Sequence, residues 1–216
     1  MTRKVAYVGA PLDFDLDFVV QVPVLRIVYM DLSGLRSVGG AIVFTSKRGV
    51  ISLQMSGVKI TGAQIYCIGH KTSEYLSNIY SKKCIVPGKE NTDGLSELLL
   101  GREKSVTIVG SDKVSRKFIS KLKEGGVDVR HIVAYKIEEN GEVDYSPLAT
   151  ADDILIGSSW SFEILDKNAS SFIKGKRLYA IGEPTSITME RLGYVSSAVF
   201  TSPDIREILQ KLITKR

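Results

Sequence analysis

Cysteine and histidine are scarce in this sequence, with two of each among 216 residues. Two cysteines build no disulfide framework of the kind that staples small secreted domains. Cys67 lies inside an apolar run and Cys84 opens another, so both read as small buried hydrophobes in a reducing compartment. With His70 and His131 as the imidazoles, a zinc site needs carboxylate help, and no ligand spacing suggests one. Long apolar runs are also missing: no segment approaches the roughly 18 residues that a membrane-spanning helix requires. The start, Met1-Thr2-Arg3-Lys4-Val5, lacks the apolar run and cleavage site of a signal peptide, and the expectation is a cytoplasmic protein without membrane contact. Neither Gly-x-x-x-x-Gly-Lys-Ser/Thr nor Gly-x-Gly-x-x-Gly occurs, which removes the phosphate-loop and dinucleotide signatures. Asp13, Asp15 and Asp17 have the spacing of a calcium loop's first oxygens, but its turn and closing positions are Phe18 and Val24, so calcium is rejected. No Cys/His or Ser/His pair reads as nucleophile and base.

What the chain does have is a globular balance, with 44% hydrophobic and 25% charged residues, which argues against disorder. The charge is uneven. Residues 26–134 hold 17 basic and 9 acidic residues, a net +8, and the remainder hold 12 and 15, a net −3. A basic middle suits an anionic partner or a merely solvated surface. Nucleic acid is disfavoured, because no basic helix or aromatic-interleaved strand face appears.

Short β-branched runs alternate with amphipathic stretches. Strands are expected at Val5–Val8, Val22–Tyr29, Ala41–Phe44, Gln64–Ile68, Cys84–Val86, Val106–Val109, Val129–Tyr135, Ile154–Ile156, Arg177–Ile181 and Ser197–Phe200. Several are apolar throughout, as parallel strands covered on both faces should be. Helices are expected at Thr92–Leu100, Lys113–Lys123, Pro184–Leu192 and Asp204–Thr214, the second stopped by Gly125-Gly126. The pattern is that of an α/β protein with parallel sheets.

The chain also repeats itself. Tyr66-Cys67-Ile68-Gly69 with Thr72-Ser73 recurs 113 residues on as Tyr179-Ala180-Ile181-Gly182 with Thr185-Ser186. Ala41–Ser46 lines up with Asp153–Ser158 at an offset of 112, and Leu95, Leu98 and Leu99 line up with Ile205, Ile208 and Leu209 at 110. Each copy reads strand–Ser–helix, strand–Gly-x-x-Thr–helix, strand–helix. The second copy alone has too few strands to bury a sheet, since about four or five are needed. It must borrow Val5–Val8. One domain is therefore discontinuous, 1–24 plus 139–216, and 26–134 is inserted into it, with crossings near 24–27 and 134–138.

In an open parallel sheet the ligand site lies outside the carboxyl ends of the strands. Helix N-termini there offer free N–H groups and partial positive charge. Ser46, Gly69 and Thr72 in the first copy, and Ser158, Ser159, Gly182 and Thr185 in the second, occupy such places. Singly, each reads as an ordinary helix cap; the duplicated set points to an anionic ligand. Lys47-Arg48 follows Ser46 directly and supplies positive charge, while His70 reads as a solvated loop residue.

These blocks resemble the uroporphyrinogen-III synthase family. The matching residues are Val22-Pro23-Val24-Leu25, Ile42 to Val50 through Thr45-Ser46-Lys47-Arg48, Ile68-Gly69 with Thr72, Val109-Gly110 with Arg116, Gly125-Gly126, Tyr135, Ser158, Ile181-Gly182 with Thr185, and Gly193. The resemblance implies two flavodoxin-like domains, one discontinuous, joined by a flexible two-stranded linker. It implies a lyase that converts hydroxymethylbilane to uroporphyrinogen III, losing water, closing the ring and inverting the last pyrrole. It further implies a monomer that needs no metal or organic cofactor and a substrate with eight carboxylates. The tyrosine at Tyr135 is the one that the resemblance assigns to departure of the hydroxyl. Two departures stand out: Gly9-Ala10-Pro11 and an Asp/Phe alternation replace the helix usual after the first strand, and Ser158-Ser159 stands where Ser-Pro is common. The alternative of a different class is a non-catalytic two-lobed module that binds a small polyanion.

Overall fold

The apolar runs become two five-stranded sheets, each covered by helices, in a computed structural model that describes residues 3–62, 64–202 and 204–214. The chain divides into two units: unit 1 is Met1–Ile27 with Glu138–Arg216, and unit 2 is Val28–Ile137. The fold is α/β, with parallel strand pairs in both sheets.

The chain begins with β1 (Val5–Val8) and β2 (Val19–Val22), then β3 (Leu25–Tyr29). The single strand expected over Val22–Tyr29 is thus two, because Pro23 has no N–H to continue a ladder. Unit 2 continues with β4 (Ser37–Val38), β5 (Ala41–Phe44), α1 (Lys47–Met55), β6 (Lys59–Ile60), β7 (Gln64–Cys67), α2 (His70–Tyr80), α3 (Thr92–Leu99), β8 (Ser105–Ser111), α4 (Arg116–Glu124) and β9 (Asp128–Glu139). Its sheet runs β3-β9-β8-β5-β7, with β4 and β6 as a separate short pair. The strand expected at Cys84–Val86 reduces to one bridge, Tyr66 to Ile85, on the β7 edge. One face carries Val43, Tyr66, Val106 and Ile108 against Leu95 and Leu99 of α3 and Phe118 and Leu122 of α4. Burying each such side chain contributes about 1.5–3 kcal/mol. Ser115 caps α4, accepting from the Phe118 N–H, so that helix starts three residues later than the apolar stripe suggests.

Unit 1 resumes with β10 (Asp153–Ile156), α5 (Ser159–Ala169), β11 (Arg177–Ile181), α6 (Glu183–Arg191), β12 (Ala198–Phe200) and α7 (Ile205–Thr214). Its sheet runs β12-β11-β10-β1-β2, with Val5 beside Asp153 on one side and Val19 on the other. No helix joins β1 to β2. Leu12, Phe14, Leu16 and Phe18 pack against Val5, Tyr7, Leu155 and α7 in its place. The Gln21 side chain holds this loop, accepting from Leu12 N–H at 2.9 Å, and Arg206 lies over the Phe14 ring at 4.3 Å.

The cysteines depart from expectation. Cys67 is fully buried, but Cys84 is only half-buried, and the two are joined in a disulfide with Cα atoms 5.8 Å apart. Seventeen positions apart in sequence, they meet because the Ile85 bridge lays the second beside the end of β7.

Candidate active site

In unit 2 the sheet changes direction between β5 and β8, which continue to opposite sides, and ligands of open parallel sheets bind beyond the carboxyl ends of such strands. Thr45 and Ser46 follow β5, and Gly110 and Ser111 end β8. A Cβ on Gly110 would strike the Thr45 hydroxyl and Val114, so the two strand ends approach this closely only with glycine there. Ser46 precedes α1 in extended backbone but makes no side-chain cap. Its Oγ lies 2.9 Å from the Tyr135 hydroxyl.

Tyr135 does not end its strand, as β9 runs on to Glu139. The pairing to β8 steps from Gly110–Val133 to Ser111–Tyr135, leaving Ala134 as an extra residue. This bulge breaks the strict alternation expected over Val129–Tyr135, and Ala134 and Tyr135 are both buried. Bulges recur beside active sites because they re-aim one side chain. The Tyr135 ring lies 6.5 Å from that of Tyr29, inclined at 54°. Burial pushes the Tyr29 phenol up; the Arg48 charge draws it partly back, and Tyr75 and Tyr135 add to the rise. Burial pushes the Lys47 ammonium down, and the charges of Arg48 and Lys71 push it further. Positive charge is thus gathered at the starts of α1 and α2, where an anion would relieve it.

The start of α2 is already engaged. Gly69 precedes the helix, and Glu90 accepts from the His70 N–H at 3.1 Å and meets His70 Nδ1 at 2.5 Å. A Cβ on Gly69 would run into the Glu90 carboxylate. His70, expected as solvated, is exposed but paired. Thr72 is buried in the first turn of α2.

Unit 1 has its own change of direction, between β1 and β10. Here Gly9 and Gly157 flank the Tyr7 hydroxyl, and a Cβ on Gly157 would lie 2.7 Å from it. Ser158, the counterpart of Ser46, does cap: it accepts from the Ser161 N–H at 3.2 Å and shares a hydrogen with Ser161 Oγ at 2.7 Å. Ser159 donates to the Pro184 carbonyl at 2.8 Å and so ties the starts of α5 and α6 together. Gly182 holds φ at +79°, a left-handed value that favours glycine. Thr185 is buried and donates its hydroxyl to the Ile181 carbonyl at 2.6 Å. The hydroxyl's hydrogen thus closes the end of β11.

Ser46, Lys47, Arg48 and Tyr135 are therefore brought together in unit 2, with Gly69 and Thr72 at the start of α2. Ser158, Ser159, Gly182 and Thr185 line the strand ends of unit 1. Sequence reasoning missed Tyr29, Tyr75 and Glu90 in unit 2 and Tyr7 in unit 1. Only Tyr29 carried a signal, its place just past the first crossing.

Comparison with known proteins resolves the family. The model of uroporphyrinogen-III synthase HemD matches residues 18–210. The chain belongs to the uroporphyrinogen-III synthase family. The matched span leaves out β1 and most of the loop after it. The crystal structure of uroporphyrinogen-III synthetase from Helicobacter pylori is 16% identical and aligns over 99% of this chain and 100% of its own, with a TM-score of 0.68. A mutant uroporphyrinogen III synthase from the extremely thermophilic bacterium Thermus thermophilus is 14% identical over 97% of each chain, with a TM-score of 0.54. At those identities the two structures show a shared fold. A comparison with curated proteins gives no match.

Proposed function

We propose that this uroporphyrinogen-III synthase family member cyclises hydroxymethylbilane to uroporphyrinogen III, a hydro-lyase reaction of tetrapyrrole biosynthesis. The family match over residues 18–210 carries the reading. The terminal hydroxyl leaves as water and yields an extended cation. A carbon–carbon bond then forms to the substituted carbon of the last ring, which inverts that ring. The bilane closes unaided to the wrong isomer, so the enzyme's task is to fold it correctly and shield the cation. That task needs placed donors more than a nucleophile. It agrees with the absence of a readable nucleophile–base pair in the sequence.

Within this reading Tyr135 is the catalytic residue. A phenol donates to the departing hydroxyl without placing a positive charge beside the developing cation. Ser46, within hydrogen-bond distance of Tyr135 Oη, holds that hydroxyl in place. Lys47 and Arg48 take substrate carboxylates, as do the backbone groups of Gly69 and Thr72. In unit 1, Ser158, Ser159 and Gly182 offer backbone groups at helix starts, whereas the hydroxyls of Ser158, Ser159 and Thr185 serve the fold. We read unit 1 as flavodoxin-like because its strands, taken in chain order, lie second-first-third-fourth-fifth. Unit 2 is read as the same sheet differently connected, with β3 and β9 as the two-stranded linker.

The test is incubation of the purified chain with hydroxymethylbilane and separation of the product isomers. Isomer III is expected in excess over the spontaneous isomer I; the spontaneous mixture alone would refute the reading.

A further inference from the structure

We infer that the Cys67–Cys84 disulfide is a redox-sensitive latch: closed, it holds Glu90 over the first turn of α2, and its reduction frees that turn for a substrate carboxylate. The inference rests on the proposed reading of the Gly69–Thr72 segment as substrate-binding.

Cys67 is the last residue of β7 and stands two positions before Gly69, which opens α2. Its partner Cys84 belongs to the connection from α2 to α3. Beside the disulfide, one bridge and the buried Pro87 anchor that connection. Ile85 donates to the Ile65 carbonyl at 2.8 Å and accepts from the Cys67 N–H at 3.0 Å, and the ladder goes no further. Beyond the bridge the chain passes Pro87 and Gly88 to Glu90, the residue just before the α3 cap. Asn91 makes that cap by accepting from the Gly94 N–H at 2.9 Å. Glu90 is thus delivered to α2 by a short segment held at one end by the disulfide and the Ile85 bridge and at the other by α3.

The contact it makes is open, with the His70 and Glu90 side chains 73% and 49% exposed. So exposed a pair contributes little by itself. Here the tether supplies the local concentration that keeps it formed. The hydrogen bond to the His70 side chain outweighs burial and, with a smaller pull from the His70 N–H, holds the Glu90 carboxyl below its ordinary range. Glu90 is therefore an ionised carboxylate on the helix start that the substrate's carboxylates would otherwise contact.

Opening the latch is ordinary thiol–disulfide exchange. The thiolate of a small thiol attacks the half-buried Cys84 sulfur, and the S–S bond breaks. Cys67 leaves as a thiolate and takes a proton. A second thiol then attacks the mixed disulfide, releasing the Cys84 thiol and the small molecule's own disulfide. Two electrons pass from the thiols to the protein.

The experiment compares the full chain oxidised with diamide and reduced with dithiothreitol, with thiols counted by titration and mass. Backbone hydrogen exchange at residues 70–73 and steady-state kinetics on hydroxymethylbilane are both read. The oxidised form should show no free thiol and the reduced form two. Reduction should speed exchange at the His70 N–H and lower KM about 2- to 5-fold, the span expected for one charge at a helix start, with kcat unchanged. Cys84→Ser should behave as the reduced form under both conditions, and Glu90→Gln should abolish the difference between them. Equal exchange and equal KM in the two forms would overturn the latch, as would two thiols that persist after oxidation. If neither form turns over the bilane, the proposed activity fails, while the difference in His70 exchange still decides the latch.

Discussion

Tyr135 and Ser46 share one hydrogen between two hydroxyls, and either can be the donor. When Tyr135 donates to a departing hydroxyl, Ser46 can donate to Tyr135 in turn, so the serine acts through the phenol. Tyr135→Phe should slow single turnover by roughly 10²–10⁴-fold while leaving isomer III as the product, because the binding groups and not the donor set the bilane's fold. Ser46→Ala should cost about 2- to 10-fold, the worth of one hydrogen bond. The double variant should be no slower than Tyr135→Phe; additive losses would give Ser46 an independent role. This pairing was not legible in the sequence. Ser46 and Ser158 end equivalent strands and precede equivalent helices, yet one caps its helix and the other does not. The difference lies in a tyrosine 89 positions from Ser46, brought there by a bulge that no period-2 pattern foretells. A second residue-scale prediction concerns Gly157. A methyl there would press on the Tyr7 hydroxyl at 2.7 Å and on the Val8 carbonyl at 3.2 Å. Gly157→Ala should cost about 1–3 kcal/mol in urea denaturation, and adding Tyr7→Phe should recover part of that loss.

At the level of strands and helices, the repeat was the most readable feature. β5-α1 and β7-α2 correspond to β10-α5 and β11-α6, with the same Ser and Gly-x-x-Thr at the turns. Cys84–Val86 was less readable: the apolar run is real, but only Ile85 pairs, because a disulfide and not a ladder secures that edge. β2 was missed because its residues, Val19–Val22, are only partly covered and Pro23 blurs its end from β3. At the opposite ends of the unit 1 strands from the site, Asp153 opens β10 fully buried and pairs with Arg3, ahead of β1, and with Arg177, the first residue of β11, at 2.7 Å. Burial works to raise the Asp153 carboxyl, but hydrogen bonds from Arg3 and Arg177 outweigh it and hold the group below the ordinary range. A lowered folded-state value means stability that is complete above the unfolded carboxyl's range, near 4, and lost as pH falls through the folded value. Asp153→Asn should therefore destabilise by about 1–3 kcal/mol at pH 7 and by progressively less below about pH 4, in denaturant titrations across that range.

Across the whole chain, the two sheets are one arrangement connected in two ways. In unit 1 the sheet reads β2-β1-β10-β11-β12; in unit 2, inward from the edge strand β3, it reads β9-β8-β5-β7 and then the Ile85 bridge. The repeated part is the last three members of each. The remaining two strands come before the repeat in unit 1 and after it in unit 2. That is why the repeat could be found at a near-constant offset while the chain refused to divide in half. It also bears on how a ribosome delivers this molecule. β1, buried along its whole length inside its sheet, is made well before its partner β10, which is synthesised about 150 residues later. At roughly 5–20 residues per second that is a wait of about 7–30 s. Unit 2 lies wholly inside that interval and contains all of its own strand partners. Nascent chains stalled near residue 150, with the last roughly 30 residues inside the exit tunnel, should still lack a complete unit 2. Chains extended by a linker that exposes residues 1–150 should resist protease across residues 28–137 and be cut within 1–27. Until β10 emerges, Val5-Ala6-Tyr7-Val8 has β2 on one side and an open apolar edge on the other, the kind of edge that a chaperone shields during synthesis.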